Sequence, residues 1–260
     1  MQSSSESSGF SRGLAVATPG LLALLLGTVA LAGPPAESKT KSESISRGTP
    51  MKGSLFRGEV LPRKGSGYAM LKVTRERRAR FGVSELVHLV KEAAHKVRRR
   101  HKGSLLRVGD LSGRKGGPID NHGSHQSGRD VDLLFYVVDG QGNPVSPEEF
   151  IPFDKNGYSV DPPMKYRFDT ARNWSLVEAL IRSDKAEVQW IFVADHLRKL
   201  MLDHAISQKK TPRSVIGKAR QILKQPGKKA HWDHFHVRIY CPADDQPECR
   251  DVGPRWAWVR

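Results

Sequence analysis

The sequence predicts an α+β domain, a small and mainly antiparallel sheet with flanking helices. Three observations carry that prediction. Strand-like and helix-like runs are mixed without the regular alternation of a wound parallel sheet. The last strand-like run alternates strictly: Phe235, Val237, Ile239 and Cys241 fall on one side, His234, His236, Arg238 and Tyr240 on the other. About 210 residues follow Pro50, enough to bury one substantial core.

The elements follow in chain order. Residues 67–73, GYAMLKV, read as a strand. Residues 84–100 read as a helix, with Ser84 placed to cap it and Leu86, Val90, Ala93 and Val97 on one face. A strand is expected over 104–112, then a Gly-rich loop over 113–130 whose length marks it as functional. Branched and aromatic residues predict a strand over 131–138. A Pro-rich excursion fills 139–167. Helices are expected over 173–184, 195–207 and 212–225, and strands over 187–194 and 234–241.

Ahead of this domain lie two segments of different character. Gly20 to Gly33 is an apolar run of 14 residues that includes Ala30-Leu31-Ala32, an A-x-A pattern. That is the plan of a secretory signal peptide over residues 1–32, cleaved after Ala32. The run is short for a membrane span, which needs about 20 residues, so no transmembrane segment is expected after cleavage. Residues 33–50 are rich in Ser, Pro, Gly and charge and are expected to form a disordered linker. The folded domain is therefore expected over 51–260.

The net charge is +16. A polyanionic partner follows, and for an exported chain an anionic cell envelope is the natural one. The basic residues are scattered, and the densest cluster, KVRRRHK, reads as a solvated helix end, so nucleic acid is not the expected partner. Cys241 and Cys249 are the only cysteines. Export to an oxidising compartment predicts a short-loop disulfide between them.

Half of the ten histidines sit in two short windows. HWDHFHVRIYC holds His231, His234 and His236; NHGSHQSGRDVD holds His122 and His125 with Asp130 and Asp132. Histidines so placed are packed core, a pH-sensitive surface or one wall of a metal site. The apolar face of the last strand is the core face, so His234 and His236 point away from it. Two such windows with carboxylates, each beside a strand, favour a metal site at the sheet face. Imidazole and carboxylate ligands suit zinc. His125, Asp132 and His236 would form a His₂Asp set, with His234 placed as a base.

These residues resemble the penicillin-insensitive murein endopeptidases, within the wider lysostaphin, D-Ala-D-Ala peptidase and hedgehog-like group of zinc metallopeptidases. The carrying pattern is H-x6-D followed by H-x-H, here His125 and Asp132 with His234 and His236. LPRKGSGY, GDLSGRKGGP, His231 and CPADDQPEC extend the likeness across residues 50 to 250. It implies a zinc metallopeptidase domain that hydrolyses the D-alanyl to meso-diaminopimelyl amide of the peptidoglycan cross-bridge. One catalytic Zn²⁺ would be held by His125, Asp132 and His236, with His234 and His231 as catalytic histidines. His122 is similar to a position that binds an extra metal in the family. The other ligands of that second site have no match here, so one ion is expected. Asp130 is assigned a supporting role behind a ligand. The resemblance also implies a secreted, periplasmic location.

Other classes remain distinguishable. A D,D-carboxypeptidase or dipeptidase of the same group presents Glu-x-Trp-His before its last ligand. The corresponding residue here is Asp233, which strand alternation would send away from the site. A non-catalytic wall-binding protein would carry a degenerate ligand set, and a nucleic-acid binder would need no zinc. The tail tryptophans, Trp256 and Trp258, are expected to pack on the domain rather than grip glycan.

Overall fold

The computed structural model describes residues 44–227 and 231–259, all within the unit Thr40–Arg260. The expected signal peptide over residues 1–32 and residues 33–43 of the expected linker lie outside the described residues. The remainder of the expected linker is structured: β1 (Ile45–Thr49) pairs antiparallel with β2 (Lys52–Phe56). Composition misled there because the strand's partners are distant in sequence. Gly48 N donates to the Glu248 carbonyl, Arg250 N donates to the Gly48 carbonyl, and Ser46 N donates to Asp245.

After this hairpin come β3 (Glu59–Val60), β4 (Lys64–Gly65), β5 (Tyr68–Met70), α1 (Lys72–Arg77) and β6 (Phe81–Gly82), the last pairing with β3. Helix α2 (Ser84–Arg100) buries Leu86, Val87, Leu89, Val90, Ala93, Ala94 and Val97, the stripe expected at helical spacing. Its cap differs from expectation. Val83 is the N-cap residue, and the Ser84 amide donates to Ser44 Oγ at 2.8 Å, so a hydroxyl 40 residues upstream satisfies an exposed helix-end donor. Strands β7 (Leu106–Val108) and β8 (Asp130–Leu134) follow, then a small sheet of β9 (Val137–Asp139), β10 (Pro144–Val145) and β11 (Tyr166–Phe168).

Helix α3 (Thr170–Ile181) starts three residues before its expected position, because the Asp169 side chain accepts from Arg172 N and caps it. The chain then runs through β12 (Val188–Phe192), α4 (Asp195–Gln208), α5 (Arg213–Ile222), β13 (Leu223–Lys224) and β14 (His234–Ile239).

Seven strands form the main sheet in the order β13-β12-β14-β8-β7-β5-β4. Four of the six neighbouring pairs are antiparallel, as expected. Phe235, Val237 and Ile239 of β14 and Val131 and Leu133 of β8 are all essentially inaccessible and form the core face. Each such burial contributes about 1.5–3 kcal/mol. Register then fixes the opposite face: His236 pairs with Asp132 and with Phe192, and Arg238 with Asp130 and with Trp190. A slip of one residue would turn the histidines into the apolar core and the apolar set onto the polar layer, so the core holds the site in register.

Two devices brace this second face. Gly116, at φ 70°, lies so close to the Gln126 carbonyl that a Cβ would stand 2.2 Å from it, so the Gly-rich loop folds tightly on itself and on the hairpin. Arg129 is fully buried and donates to Asp251 at 2.7 Å and to the Arg250 carbonyl at 2.9 Å, tying β8 to the C-terminal segment. Cys241 and Cys249 form a disulfide in that segment. Trp256 donates from Nε1 to the Gln189 carbonyl and stacks on Trp258, and both are partly buried against the core, in line with the packing role expected for them.

Candidate metal centre

The polar face of β8 and β14 meets the end of the Gly-rich loop. His125 is fully buried and its backbone is in the left-handed region at φ 64°, a conformation that non-glycine residues adopt when the surroundings impose it. Its Nδ1 donates to the Leu111 carbonyl at 2.6 Å. That bond fixes the tautomer and turns Nε2 inward, to 3.3 Å from Asp132 Oδ1. His236 is oriented in the same manner by a carboxylate. Its Nε2 lies 2.9 Å from Asp130 Oδ1, which leaves Nδ1 facing Asp132 Oδ1 at 3.8 Å. His234 Nε2 approaches the same oxygen at 3.5 Å. Three imidazoles from two segments more than 100 residues apart thus converge on one carboxylate oxygen.

His122 approaches from the other side. Its Nδ1 is 3.8 Å from Asp132 Oδ2, and its Nε2 is 3.1 Å from Asp110 Oδ2, which also accepts from Arg77. His231, at φ 40°, places its ring 5.0 Å from that of His234 and 5.6 Å from that of His236. Every histidine and aspartate singled out in the sequence is therefore in one cluster. Among the described residues, His122, His125 and Asp132 form a group that could hold a metal ion, with ligand atoms within 4.8 Å of one another. It shares two members with the expected set, and His236 stands beside it.

The electrostatics are those of a site built for a cation. Burial pushes the Asp132 carboxyl up, but the adjacent His125 and His234 outweigh it and hold the group well below the usual carboxylate range. Burial likewise raises Asp130, and Arg238 and His236 more than offset it. Burial pushes His234 down, yet the Asp132 and Asp233 carboxylates raise it to about 10. His236, by contrast, is lowered, chiefly by burial. Two buried atoms decide the fit to a metal. His125 Nε2 and Asp132 Oδ1 make no hydrogen bond, although each is shielded from solvent. Unsatisfied buried polar atoms cost about 1–3 kcal/mol each, and here they face one another across the space that a divalent ion would fill. The donor set, imidazole nitrogen with carboxylate oxygen, is the set zinc takes.

One residue departs from expectation. Strand alternation does not govern Asp233, because β14 begins at His234. Its carboxylate turns toward the site, and Asp233 Oδ1 lies 2.7 Å from His234 Nδ1. Asp110, Arg238 and the Leu111 carbonyl were also not assigned roles from the sequence. Arg238 was legible as sharing the histidine face. The others act through loop conformation, which carries no periodic signal.

A family model described as penicillin-insensitive murein endopeptidase matches residues 46–256. The chain is 28% identical over 244 residues to a penicillin-insensitive murein endopeptidase of Klebsiella pneumoniae subsp. pneumoniae, covering 90% of this chain and 81% of that one. It is 27% identical over 238 residues to proteins of the same description from Salmonella paratyphi C and Salmonella typhi, covering 89% of this chain and 80% of each. The match begins within β1, in agreement with the structured hairpin.

Proposed function

The chain belongs to the penicillin-insensitive murein endopeptidase family, and from that premise we propose that it is a zinc-dependent hydrolase that cuts the D-alanyl to meso-diaminopimelyl amide of peptidoglycan cross-bridges. The observation that carries the zinc reading is the pair of buried, unbonded atoms His125 Nε2 and Asp132 Oδ1, 3.3 Å apart. His236 Nδ1 is the third ligand in this reading, because it faces the same oxygen, Oδ1, whereas His122 faces Oδ2. His122 instead bridges Asp110 and Asp132, and one ion suffices.

When bound, zinc polarises a carbonyl and brings the pKa of a coordinated water to about 7. The chain's own residues do the rest. Leu111 and Asp130 hold the ligand imidazoles in one tautomer each. His234 presents Nε2 to the centre; with zinc bound, the Asp132 charge that raises its pKa would be shared with the ion, and Nε2 would exchange the proton between the attacking water and the leaving amine. His231, beside it, lines the same approach and orients the reacting water. No serine or cysteine nucleophile takes part in this scheme, so a β-lactam finds nothing to acylate.

Residues 1–32 serve as the export signal in this reading, and the periplasm is the working compartment. The apolar run ending at Gly33 supports it, and no helix among the described residues is long and apolar enough to cross a membrane. The charge of +16 then concentrates the protein on an anionic wall.

Mass analysis of muropeptides tests the function. Purified cross-linked muropeptides should fall to monomers, the reaction should stop with a chelator, and added zinc should restore it. Release of a terminal D-alanine alone would make the chain a carboxypeptidase. Tight binding to sacculi without release of any fragment would make it a wall-binding protein.

A further inference from the structure

Asp233 lies outside the ligand set and outside β14, yet it makes one of the shortest contacts in the site. Its Oδ1 is 2.7 Å from His234 Nδ1, while the opposite ring nitrogen, Nε2, is 3.5 Å from Asp132 Oδ1. The His234 ring is therefore strung between a carboxylate behind it and the metal centre in front. Phe150 meets the ring edge-on, with centroids 5.1 Å apart and planes at 86°. His231 sits on another side at 5.0 Å.

The backbone that carries Asp233 is pinned. Ala194 N donates to the His231 carbonyl, and Phe153 N donates to the Trp232 carbonyl, each at 2.9 Å. Asp233 borders a small cavity lined in part by Leu134, Phe135, Ile151, Phe153 and Glu149. Its side chain is 28% exposed, and the carboxylate makes the contact with His234 Nδ1 a charge-assisted one.

We propose that Asp233 is a positioning residue whose carboxylate accepts the His234 Nδ1 hydrogen and holds the ring with Nε2 toward the centre. The inference rests on the reading of His234 as the proton-transfer group. The carboxylate contacts the far nitrogen of the imidazole, so its effect on the reacting atoms passes through the ring. Neutral imidazole free in water prefers its hydrogen on Nε2, which would turn a donor toward the centre. The Asp233 contact reverses that preference without changing any ligand.

The test combines turnover with a readout that needs no substrate. In the zinc-loaded protein with ¹⁵N-labelled histidine, the His234 Nδ1 hydrogen should show the marks of a short hydrogen bond, a downfield shift and slow exchange with solvent. In Asp233→Ala that signature should be lost. Muropeptide cleavage by Asp233→Ala should fall about 10- to 100-fold in kcat, the usual effect of losing a hydrogen-bond partner behind a site imidazole, with KM and zinc content unchanged. Asp233→Asn keeps an oxygen acceptor for Nδ1–H and should restore most of the lost kcat. A parent Nδ1 that is bare, or whose hydrogen exchanges freely with solvent, overturns the proposal, as does unchanged kcat in Asp233→Ala or an Asn variant no better than Ala. The parent spectrum alone settles the point if a variant does not fold. A parent protein that shows the expected ring spectrum but cuts no muropeptide would instead count against the murein reading.

Discussion

Asp130 is the residue whose replacement should separate stability from metal binding. It is fully buried and accepts from Arg238 Nε at 2.6 Å, lies 2.9 Å from His236 Nε2, and accepts the His125 amide at 3.2 Å. Asp130→Asn preserves shape and removes charge, leaving the nearly buried Arg238 guanidinium uncompensated. Breaking a buried pair in this way costs about 3–5 kcal/mol. At about 2–4 °C per kcal/mol for a domain of this size, Tm of the metal-stripped protein should fall by about 6–20 °C. The same change loosens a ligand imidazole, so zinc affinity should weaken about 10- to 100-fold, or about 1.4–2.8 kcal/mol. Because the folded-state pKa of Asp130 is depressed, its contribution is fully present above about pH 4 and is lost only as pH falls through the depressed value. The deficit should therefore be flat between about pH 5 and 8. Calorimetry and chelator-competition titration measure the two effects. Adding Arg238→Met should return part of the stability but none of the zinc affinity. A single variant melting within about 2 °C of the parent, with unaltered affinity, would refute the roles given to both Asp130 and Arg238.

Three further outcomes follow from the same structure. Replacing Cys241 and Cys249 with serine opens a loop closed across a sequence separation of 8, and chain entropy puts the loss at about 2.5 kcal/mol, read as a lower denaturation midpoint. Phe235→Ala empties a fully buried core position behind the site and should cost about 3–5 kcal/mol in urea unfolding. Benzylpenicillin should leave muropeptide cleavage unchanged while a chelator abolishes it; inhibition by the β-lactam would reveal an acylable nucleophile.

The core strand was the most legible feature, because alternation from Phe235 to Ile239 sorts core from site without knowledge of any partner. The histidine–aspartate cluster was legible for a related reason: His125, Asp132, His234 and His236 signal their chemistry in side-chain type and spacing. What escaped was fixed by contacts distant in sequence. The hairpin at Ile45–Phe56 forms against the C-terminal segment, and its own composition reads as linker. Ser84 lost its capping role to Ser44, a residue that no local pattern connects to α2. Asp233 was misdirected because alternation was extended one residue beyond the strand, where the backbone no longer obeys it. The polar face points away from the apolar core, as alternation predicts, but alternation carries no sign that it is covered in turn: His236 and Arg238 are both under a tenth exposed.

Diffraction from zinc-soaked crystals, recorded on both sides of the zinc absorption edge, bears most directly on the centre. The expected result is one anomalous peak about 2.0–2.2 Å from His125 Nε2, Asp132 Oδ1 and His236 Nδ1, with His234 and Asp233 outside the coordination shell. A peak bound by His122 in place of His236, or no peak at these residues at full zinc loading, would contradict it.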